Sequence, residues 1–220
     1  MLVSHKKKFI FIKSKKTAST SVEVYFERYC VPDNRWEPTH YRDQLVSDAG
    51  IVGHRGPNMK SGTEFYNHMP ASELQAKLSS NIWQDYFKFT TIRNPFDKMI
   101  SAFYHFEKSR NPEKYLEHTE SDIILFRRWV ESGAKVLDKQ IYLSNGQETL
   151  DFYIRYENLL EDIQFVCEKI NVPYQPESLQ NFKRQFRDRS FAVADFYDQQ
   201  THDIVSRNYE FEIEKFGYAL

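Results

Sequence analysis

Lysine and hydroxyl side chains are concentrated directly after a short apolar run near the start of the chain. The run is Phe9 to Ile12, and Lys15-Lys16-Thr17-Ala18-Ser19-Thr20-Ser21 follows it closely. A helical pattern begins at Ala18, so the segment lies where a buried strand passes into a helix. Free N–H groups and the helix dipole favour an anion there, which predicts an anion-binding loop. The alternative is a Ser/Thr N-cap beside solvated lysines.

A second candidate anion site follows another apolar run. Arg93 comes directly after the β-rich residues 86–92, and Asn94-Pro95 is a favourable helix start. Ser101 lies about two helical turns further on. Because an arginine fork binds phosphate through two hydrogen bonds, the two strand ends together suggest one ligand with two phosphate-like groups. The alternative is an ordinary ion pair between Arg93 and Asp97.

The elements that must position these residues alternate between strands and helices. Apolar periodicity predicts strands at 9–12, 86–92 and 150–156, and helices at 18–30, 70–84, 95–108, 121–132, 158–170 and 202–216. This alternation indicates one α/β domain over residues 1–220, with a central parallel sheet flanked by helices. Asn145-Gly146 is read either as a hairpin turn or as a plain loop.

Composition excludes several classes of protein. The 220 residues carry 30 basic and 31 acidic side chains, yet residues 1–22 hold six lysines and no acid, with Lys6 to Lys8 read as a solvated tail. Only seven glycines occur, and four of them lie in residues 50–62. Neither G-x-x-x-x-G-K-[ST] nor G-x-G-x-x-G is present, which disfavours an ordinary Walker-type NTPase and a dinucleotide-binding Rossmann enzyme.

Other expectations follow from what the sequence lacks. The longest apolar runs have four residues, too short for a membrane span or a signal peptide, so a cytoplasmic protein is expected. Cys30 and Cys167 are read as two buried free thiols in preference to a disulfide. No metal-binding spacing occurs, so no metal is expected.

Two segments resemble the cofactor motifs of one enzyme family. Residues 11–21 resemble the 5′-phosphosulfate loop of PAPS-dependent sulfotransferases (PAPS is 3′-phosphoadenosine 5′-phosphosulfate), and residues 89–104 resemble their 3′-phosphate motif. The similarity extends through residues 155–159 and 216–218, and is greatest to the carbohydrate branch, which includes heparan sulfate 2-O-sulfotransferases and short bacterial or phage-borne relatives. One departure is that Lys15 stands where the family usually has proline.

The resemblance implies a fold, a cofactor and a reaction. It implies a P-loop-like three-layer fold, PAPS as sulfuryl donor without a metal, and a hydroxyl-bearing acceptor such as a glycan, with no nucleic-acid partner. The implied cofactor-binding residues are Lys15, Lys16, Thr17, Ala18, Ser19, Thr20, Ser21, Arg93 and Ser101.

Two residues are implied to carry the chemistry. Lys16 would stabilise the leaving phosphate, and His68 would act as general base, since a neutral imidazole with a pKa of about 6.5 can accept a hydroxyl proton. His54 is the other candidate base. A helix-start histidine with a structural hydrogen bond is the alternative reading of His68.

Acceptor contacts are expected from His54, Arg55 and Tyr66, with Lys60 nearby. The glycine-rich residues 50–62 are interpreted as a flexible wall of the acceptor site. Lys183, Arg184 and Arg187 are expected either to close over the cofactor or to form a solvated charge run.

Two other functions remain open from the sequence. One is a kinase-like phosphoryl transferase, which would need Mg²⁺ and an acidic ligand. The other is a non-catalytic module that binds a sulfated or phosphorylated ligand. The identity of the acceptor and the oligomeric state are not predicted.

Overall fold

The structure is a computed structural model that describes residues 1–33, 36–108, 121–180 and 191–220. The chain forms two compact units. The first comprises Met1–Ile92 and Asp138–Phe182, and the second comprises Arg93–Leu137 and Lys183–Leu220. The single domain expected over residues 1–220 stays a prediction.

A six-stranded sheet forms the centre of the first unit. Its strands are β1 (Leu2–Ser4), β2 (Phe9–Phe11), β3 (Leu45–Ser47), β4 (Gly50–Val52), β5 (Phe87–Ile92) and β8 (Phe152–Arg155), in the order β3-β4-β1-β2-β5-β8. The pairs β2–β5 and β5–β8 are parallel, as predicted. The predicted α/β fold, with helices around a central sheet, is confirmed.

The sheet differs from the prediction because it is mixed. Strand β1 runs antiparallel to β2 and β4, and β3 runs antiparallel to β4. Residues 6–8, expected as a solvated tail, form the turn between β1 and β2, where Lys6 Nζ donates to Asp33 Oδ1 at 2.6 Å. Strand β1 was not predicted because it has only three residues, too few to show a periodic apolar pattern.

The glycine-rich residues 50–62 differ from the prediction where the segment begins. Its first residues form strand β4 inside the sheet and are buried, so they are not a flexible wall of an acceptor site. A Cβ atom on Gly50 would lie 2.1 Å from the carbonyl oxygen of Val3. Glycine is therefore required at position 50 by the close approach of β1.

The core of the first unit lies between the sheet and two helices, α1 (Ser19–Glu27) and α7 (Leu159–Lys169). Aromatic residues of β2 and β5 pack on apolar residues of both helices, including Phe9, Phe11, Phe89, Val22, Phe26, Ile163 and Val166. Cys30 and Cys167 are both buried and free, which confirms the predicted thiols.

The helix predicted at 70–84 is two helices, α2 (Ala71–Lys77) and α3 (Ser80–Asp85). Leu78 has extended backbone angles, and the Ser79 side chain accepts a hydrogen bond from Ile82 N, so a new N-cap divides the apolar stripe.

The short helix α6 (Lys139–Tyr142) leads into the hairpin of β6 (Leu143–Ser144) and β7 (Gln147–Glu148). Asn145 and Gly146 have φ angles of 53° and 77°. Two consecutive positive φ angles are typical of a hairpin turn, which decides between the two readings of this dipeptide.

The second unit is helical in its described residues. It contains α4 (Pro95–Phe103), α5 (Asp122–Glu131), α8 (Gln199–Asn208) and α9 (Glu210–Phe216), and α4 continues into a π-helical turn, Tyr104–Lys108. The predicted Asn94 cap is present, since Asn94 Oδ1 accepts from Phe96 N at 3.0 Å. Gly217 follows the last helix with a φ angle of 65°. The helix predicted at 202–216 starts earlier, at a capping box of Asp198 and Thr201, and is divided at Tyr209. In the described ranges of both units, every helix is too short or too polar to cross a membrane.

Candidate active site

The loop between β2 and α1 has an unusual backbone. Lys16 and Ala18 have φ angles of 61° and 60°, in the left-handed region, while Thr17 between them has a negative φ. Alternation of this kind turns successive N–H groups toward one side and forms an anion-binding concavity. Within the described residues, no acceptor bonds the backbone N–H groups of Thr17 to Thr20. We call residues 16–20 the anion nest.

Some hydroxyls of the loop hold it in place. Ser14 Oγ lies 2.7 Å from Thr17 Oγ1 and 2.9 Å from Thr91 Oγ1, and the two threonine hydroxyls are 2.7 Å apart. All three residues are buried, and Ser19 Oγ donates to the Ser14 carbonyl at 2.6 Å. Ser14 and Thr17 thus attach the loop to the end of β5, and Ser19 links the start of α1 to Ser14. Cofactor binding by Thr17 and Ser19 stays a prediction.

Two other hydroxyls differ. In the part of the chain that the structure describes, no residue hydrogen-bonds the side chains of Thr20 and Ser21. They are therefore the loop hydroxyls best suited to a bound anion.

A carboxylate that the sequence did not predict also holds the loop. Asp138 is 1% exposed, and its Oδ2 accepts the backbone N–H of Lys15 at 2.9 Å. A proline at position 15 would have no N–H to donate. The departure from the family pattern at Lys15 thus accompanies a specific hydrogen bond.

His68 is attached to the start of the same loop. It has a φ angle of 58°, and its Nδ1 lies 3.1 Å from the carbonyl oxygen of Lys13. A carbonyl only accepts, so Nδ1 carries the proton and the lone pair of the neutral ring lies on Nε2. Among the described residues none hydrogen-bonds Nε2. Burial and the Lys13 ammonium lower the pKa of His68 from 6.5 to about 4, so the ring is neutral at pH 7.

A buried ionic cluster lies beside this loop, formed by two carboxylates of α1 and the cations around them. Glu23 Oε2 lies 2.7 Å from Lys13 Nζ and 2.9 Å from Arg55 Nη1, and its Oε1 lies 2.6 Å from the amino group of Met1. Glu27 pairs with Arg55 and Arg42. Burial alone would raise the pKa of Glu23, but the three cations hold it well below its ordinary value.

The residues expected to contact the acceptor differ in burial and in their partners. Arg55 is 2% exposed; besides its two carboxylates, it donates to the carbonyl oxygens of His40 and Thr39, each at 2.9 Å. These contacts give Arg55 a structural role, and its contact with an acceptor stays a prediction. Exposed Lys60 pairs with Asp43 at 2.6 Å.

His54 and Tyr66 are brought together by a backbone bridge. His54 is buried, its Nε2 lies 3.2 Å from the Gly56 carbonyl and its Nδ1 lies 3.7 Å from Asp43 Oδ1. Tyr66 donates its hydroxyl to Glu73 Oε2 at 2.5 Å, which raises the pKa of Tyr66 to about 12. Because both nitrogens of His54 face protein oxygens, the contacts favour His68 as the candidate base.

The second unit carries the residues of the second predicted anion site, Arg93 and Ser101. Arg93 is 8% exposed, and its Nε and Nη2 donate to Asp97 Oδ2 at 2.8 and 2.5 Å. This is the ion pair that the sequence left open as an alternative, and phosphate binding by Arg93 stays a prediction. Ser101 lies on α4 and is half-buried. Lys183, Arg184 and Arg187 lie outside the described residues.

Comparison with known proteins decides the family. A model of the sulfotransferase family matches residues 1–219. The chain belongs to this family. The match confirms the predicted family and supports sulfuryl transfer to a hydroxyl-bearing acceptor as the general activity. It does not distinguish the carbohydrate branch, which stays a prediction.

The sulfotransferase is also similar to an uncharacterized protein of Archaeoglobus fulgidus. The two are 29% identical over 108 residues, which is 48% of this chain and 84% of that protein. No solved structure matches the sulfotransferase.

The site of the sulfotransferase contains residues that sequence reasoning missed. Asp138 lies 123 positions from Lys15 and belongs to no motif. Glu23 and Glu27 lie in the predicted helix 18–30, where acidic side chains are ordinarily solvated, so the sequence did not indicate their burial. The i, i+4 spacing of these two acids in the helix after the loop is the sequence feature that could have indicated the ionic cluster. Among the described residues, no three His, Cys, Asp or Glu side chains are grouped to hold a metal ion.

Proposed function

We propose that this sulfotransferase transfers the sulfuryl group of PAPS to a hydroxyl group of a carbohydrate. The observation that carries this function is the hydrogen bond between His68 Nδ1 and the Lys13 carbonyl. It attaches a neutral imidazole to the loop whose backbone forms the anion nest. A base and an anion site joined in this way suit the removal of a proton from a hydroxyl beside a bound sulfuryl donor.

The nest fits the 5′ side of PAPS. When bound, PAPS supplies a sulfuryl group activated by its phosphate leaving group. The N–H groups of Thr17 to Thr20, which have no acceptor among the described residues, would bind the phosphate oxygens, helped by the Thr20 and Ser21 hydroxyls. Lys16, whose positive φ places it in the nest, would stabilise the charge that develops on the leaving oxygen.

His68 would accept the acceptor's proton at Nε2. Its pKa of about 4 leaves it neutral, but makes it a weak base in the free protein. An anion in the neighbouring nest would favour the imidazolium form and raise this pKa. Donor binding would thus strengthen the base when it is needed.

The remaining roles rest on the family resemblance. Arg93 and Ser101 would bind the 3′-phosphate, and for Arg93 this means sharing its guanidinium with Asp97. His54, Arg55 and Tyr66 would border the acceptor, with Tyr66 the most accessible of the three through its half-buried ring. A carbohydrate hydroxyl is the acceptor that the resemblance to the carbohydrate branch favours.

Calorimetric titration with adenosine 3′,5′-bisphosphate tests the cofactor site. We expect the wild type to bind it, and Lys16→Ala to lower transfer from radiolabelled PAPS by about 10²- to 10³-fold, as for loss of one charge-stabilising group. Lys7→Ala is the matched control, because it removes the same charge from the β1–β2 turn, where Lys7 Nζ donates to the Asn171 carbonyl. A wild-type protein that fails to bind the nucleotide would contradict the proposed function.

A second pair of variants separates binding from chemistry. Arg93→Ala is expected to weaken nucleotide binding, and His68→Asn to lower kcat while leaving nucleotide affinity nearly unchanged. Transfer that His68→Asn left intact would refute His68 as the base. A wild-type protein that binds the nucleotide but transfers no sulfuryl group to any acceptor would be better explained as a non-catalytic binding module. Magnesium-dependent ATP turnover would instead favour a kinase.

The acceptor class is tested by a screen of glycans, phenols and lipids with the radiolabelled donor. Transfer to glycans supports the carbohydrate acceptor. Transfer to phenols or lipids alone would refute that part of the proposal and leave sulfuryl transfer standing.

A further inference from the structure

Lys13 is bound through both its backbone and its side chain, and its partners include the candidate base and a carboxylate of α1. Its carbonyl oxygen accepts from His68 Nδ1 at 3.1 Å, and its ammonium lies 2.7 Å from Glu23 Oε2. Lys13 is 2% exposed. The carbonyl that accepts the hydrogen bond of His68 and the ammonium that pairs with Glu23 thus belong to one buried residue.

Glu23 is the centre of this arrangement. It is fully buried, and beyond Lys13 it binds Arg55 and the amino group of Met1. A buried carboxylate is costly to desolvate, so an ionic cluster of this size is weak evidence for a contribution to stability alone. The ion pair of Glu23 with Lys13 has a geometric consequence for His68.

We propose that Glu23 is a positioning residue: by holding the Lys13 ammonium, it fixes the Lys13 carbonyl as the acceptor that keeps the His68 proton on Nδ1 and the lone pair on Nε2. The catalytic meaning of this role rests on the proposed function, whereas the tautomer itself does not. Selecting a tautomer through a hydrogen bond to the other ring nitrogen is a general way to orient a histidine base.

The charges that act on His68 make the role measurable. The Lys13 ammonium and the amino group of Met1 lower its pKa, and the carboxylate of Asp138 raises it. Glu23 neutralises Lys13. Removing Glu23 leaves the Lys13 cation unbalanced and lowers the pKa of His68 further, while removing the Lys13 cation raises it.

The chain offers a closely matched control. Glu27 lies one turn from Glu23 on the same helix, is equally buried, and also pairs with Arg55, but its second partner is Arg42 and not Lys13. Glu23→Gln and Glu27→Gln each remove one buried negative charge from the cluster. Only Glu23→Gln breaks the contact with Lys13.

Ring-nitrogen NMR of the full-length, histidine-labelled protein measures the tautomer and the pKa, with His68→Asn assigning the signal. We expect wild type and Glu27→Gln to show His68 protonated at Nδ1. In Glu23→Gln we expect a mixture of tautomers and a lower pKa. An unchanged tautomer in Glu23→Gln, or the same mixture in Glu27→Gln, would overturn the positioning role.

Lys13→Met provides the second test if Glu23→Gln does not fold. It retains the carbonyl and the apolar stem but removes the ammonium. We expect the same mixture of tautomers with the opposite shift, a higher pKa of His68. General destabilisation would not move the pKa in opposite directions in the two variants, and a wild-type tautomer in Lys13→Met would refute the role.

Kinetics link the tautomer to the reaction. In Glu23→Gln we expect kcat to fall at least about tenfold, because a misplaced base costs about 10- to 100-fold. The affinity for adenosine 3′,5′-bisphosphate should change less than about threefold, since the lost interaction belongs to the transition state. If the wild type neither binds the nucleotide nor transfers sulfate, the proposed function fails, and the NMR result still decides the role of Glu23.

Discussion

Acidification is expected to destabilise the protein through His68, and His68→Asn isolates this effect. In the unfolded chain the imidazole titrates with its ordinary pKa of 6.5, while in the folded protein burial and Lys13 lower the pKa to about 4. Between these values the unfolded state binds the proton more strongly. Stability present above pH 6.5 is therefore lost progressively as the pH falls toward 4.

The size of the loss follows from the two pKa values. Linkage between 6.5 and about 4 gives a decrease of about 2 kcal/mol in the free energy of unfolding from pH 7.5 to pH 5, and about 3 kcal/mol by pH 4. A measurement at pH 5 is preferable to one at pH 4, because carboxylates begin to protonate at the lower pH. Glu23, whose pKa is also lowered in the folded state, then adds its own loss of stability. Asparagine tolerates the left-handed backbone at position 68 and does not titrate.

Urea unfolding of wild type and His68→Asn, followed by circular dichroism at pH 7.5, 6 and 5, measures the difference. The wild type should lose about 2 kcal/mol more than the variant between pH 7.5 and pH 5. Parallel pH dependence in the two proteins would refute a lowered pKa for His68, and with it the description of this ring as a neutral group held by the loop.

Two further predictions concern the sheet and the loop. Gly50→Ala should lower the free energy of unfolding by about 3 kcal/mol in urea unfolding, because its Cβ would lie 2.1 Å from the Val3 carbonyl oxygen. The control Gly133→Ala, at a φ of 90° with no atom within 4 Å of the added Cβ, should cost about 1 kcal/mol. Equal losses in the two variants would contradict the close packing of β1 on β4. Asp138→Ala should weaken binding of adenosine 3′,5′-bisphosphate about tenfold in calorimetry, since the Lys15 N–H loses its acceptor. Asp138→Asn retains an acceptor oxygen and should bind within about threefold of wild type, and equal weakening in both variants would show that the charge of Asp138, and not its hydrogen bond, supports the loop.

Local sequence patterns determined much of the framework. The passage from an apolar run into a helix placed the loop, and Asn94-Pro95 marked a helix start that the structure contains. These features depend on residues within a few positions of one another, where backbone geometry and capping preferences dominate. The loop motif itself was recognisable for the same reason.

Tertiary structure alone decided the partners of the buried polar groups. Burial at a single position depends on distant packing, so neither the pairing of Glu23 with Lys13 and Arg55 nor the hydrogen bond of Asp138 to Lys15 was readable from spacing. The same holds for strand β4, whose glycine suggested flexibility until β1 was found beside it. The sequence by itself predicted an anion site between β2 and α1 and indicated the family, which the comparison confirmed. The fold decided which nitrogen of His68 holds its proton, because that choice is made by a carbonyl 55 residues away.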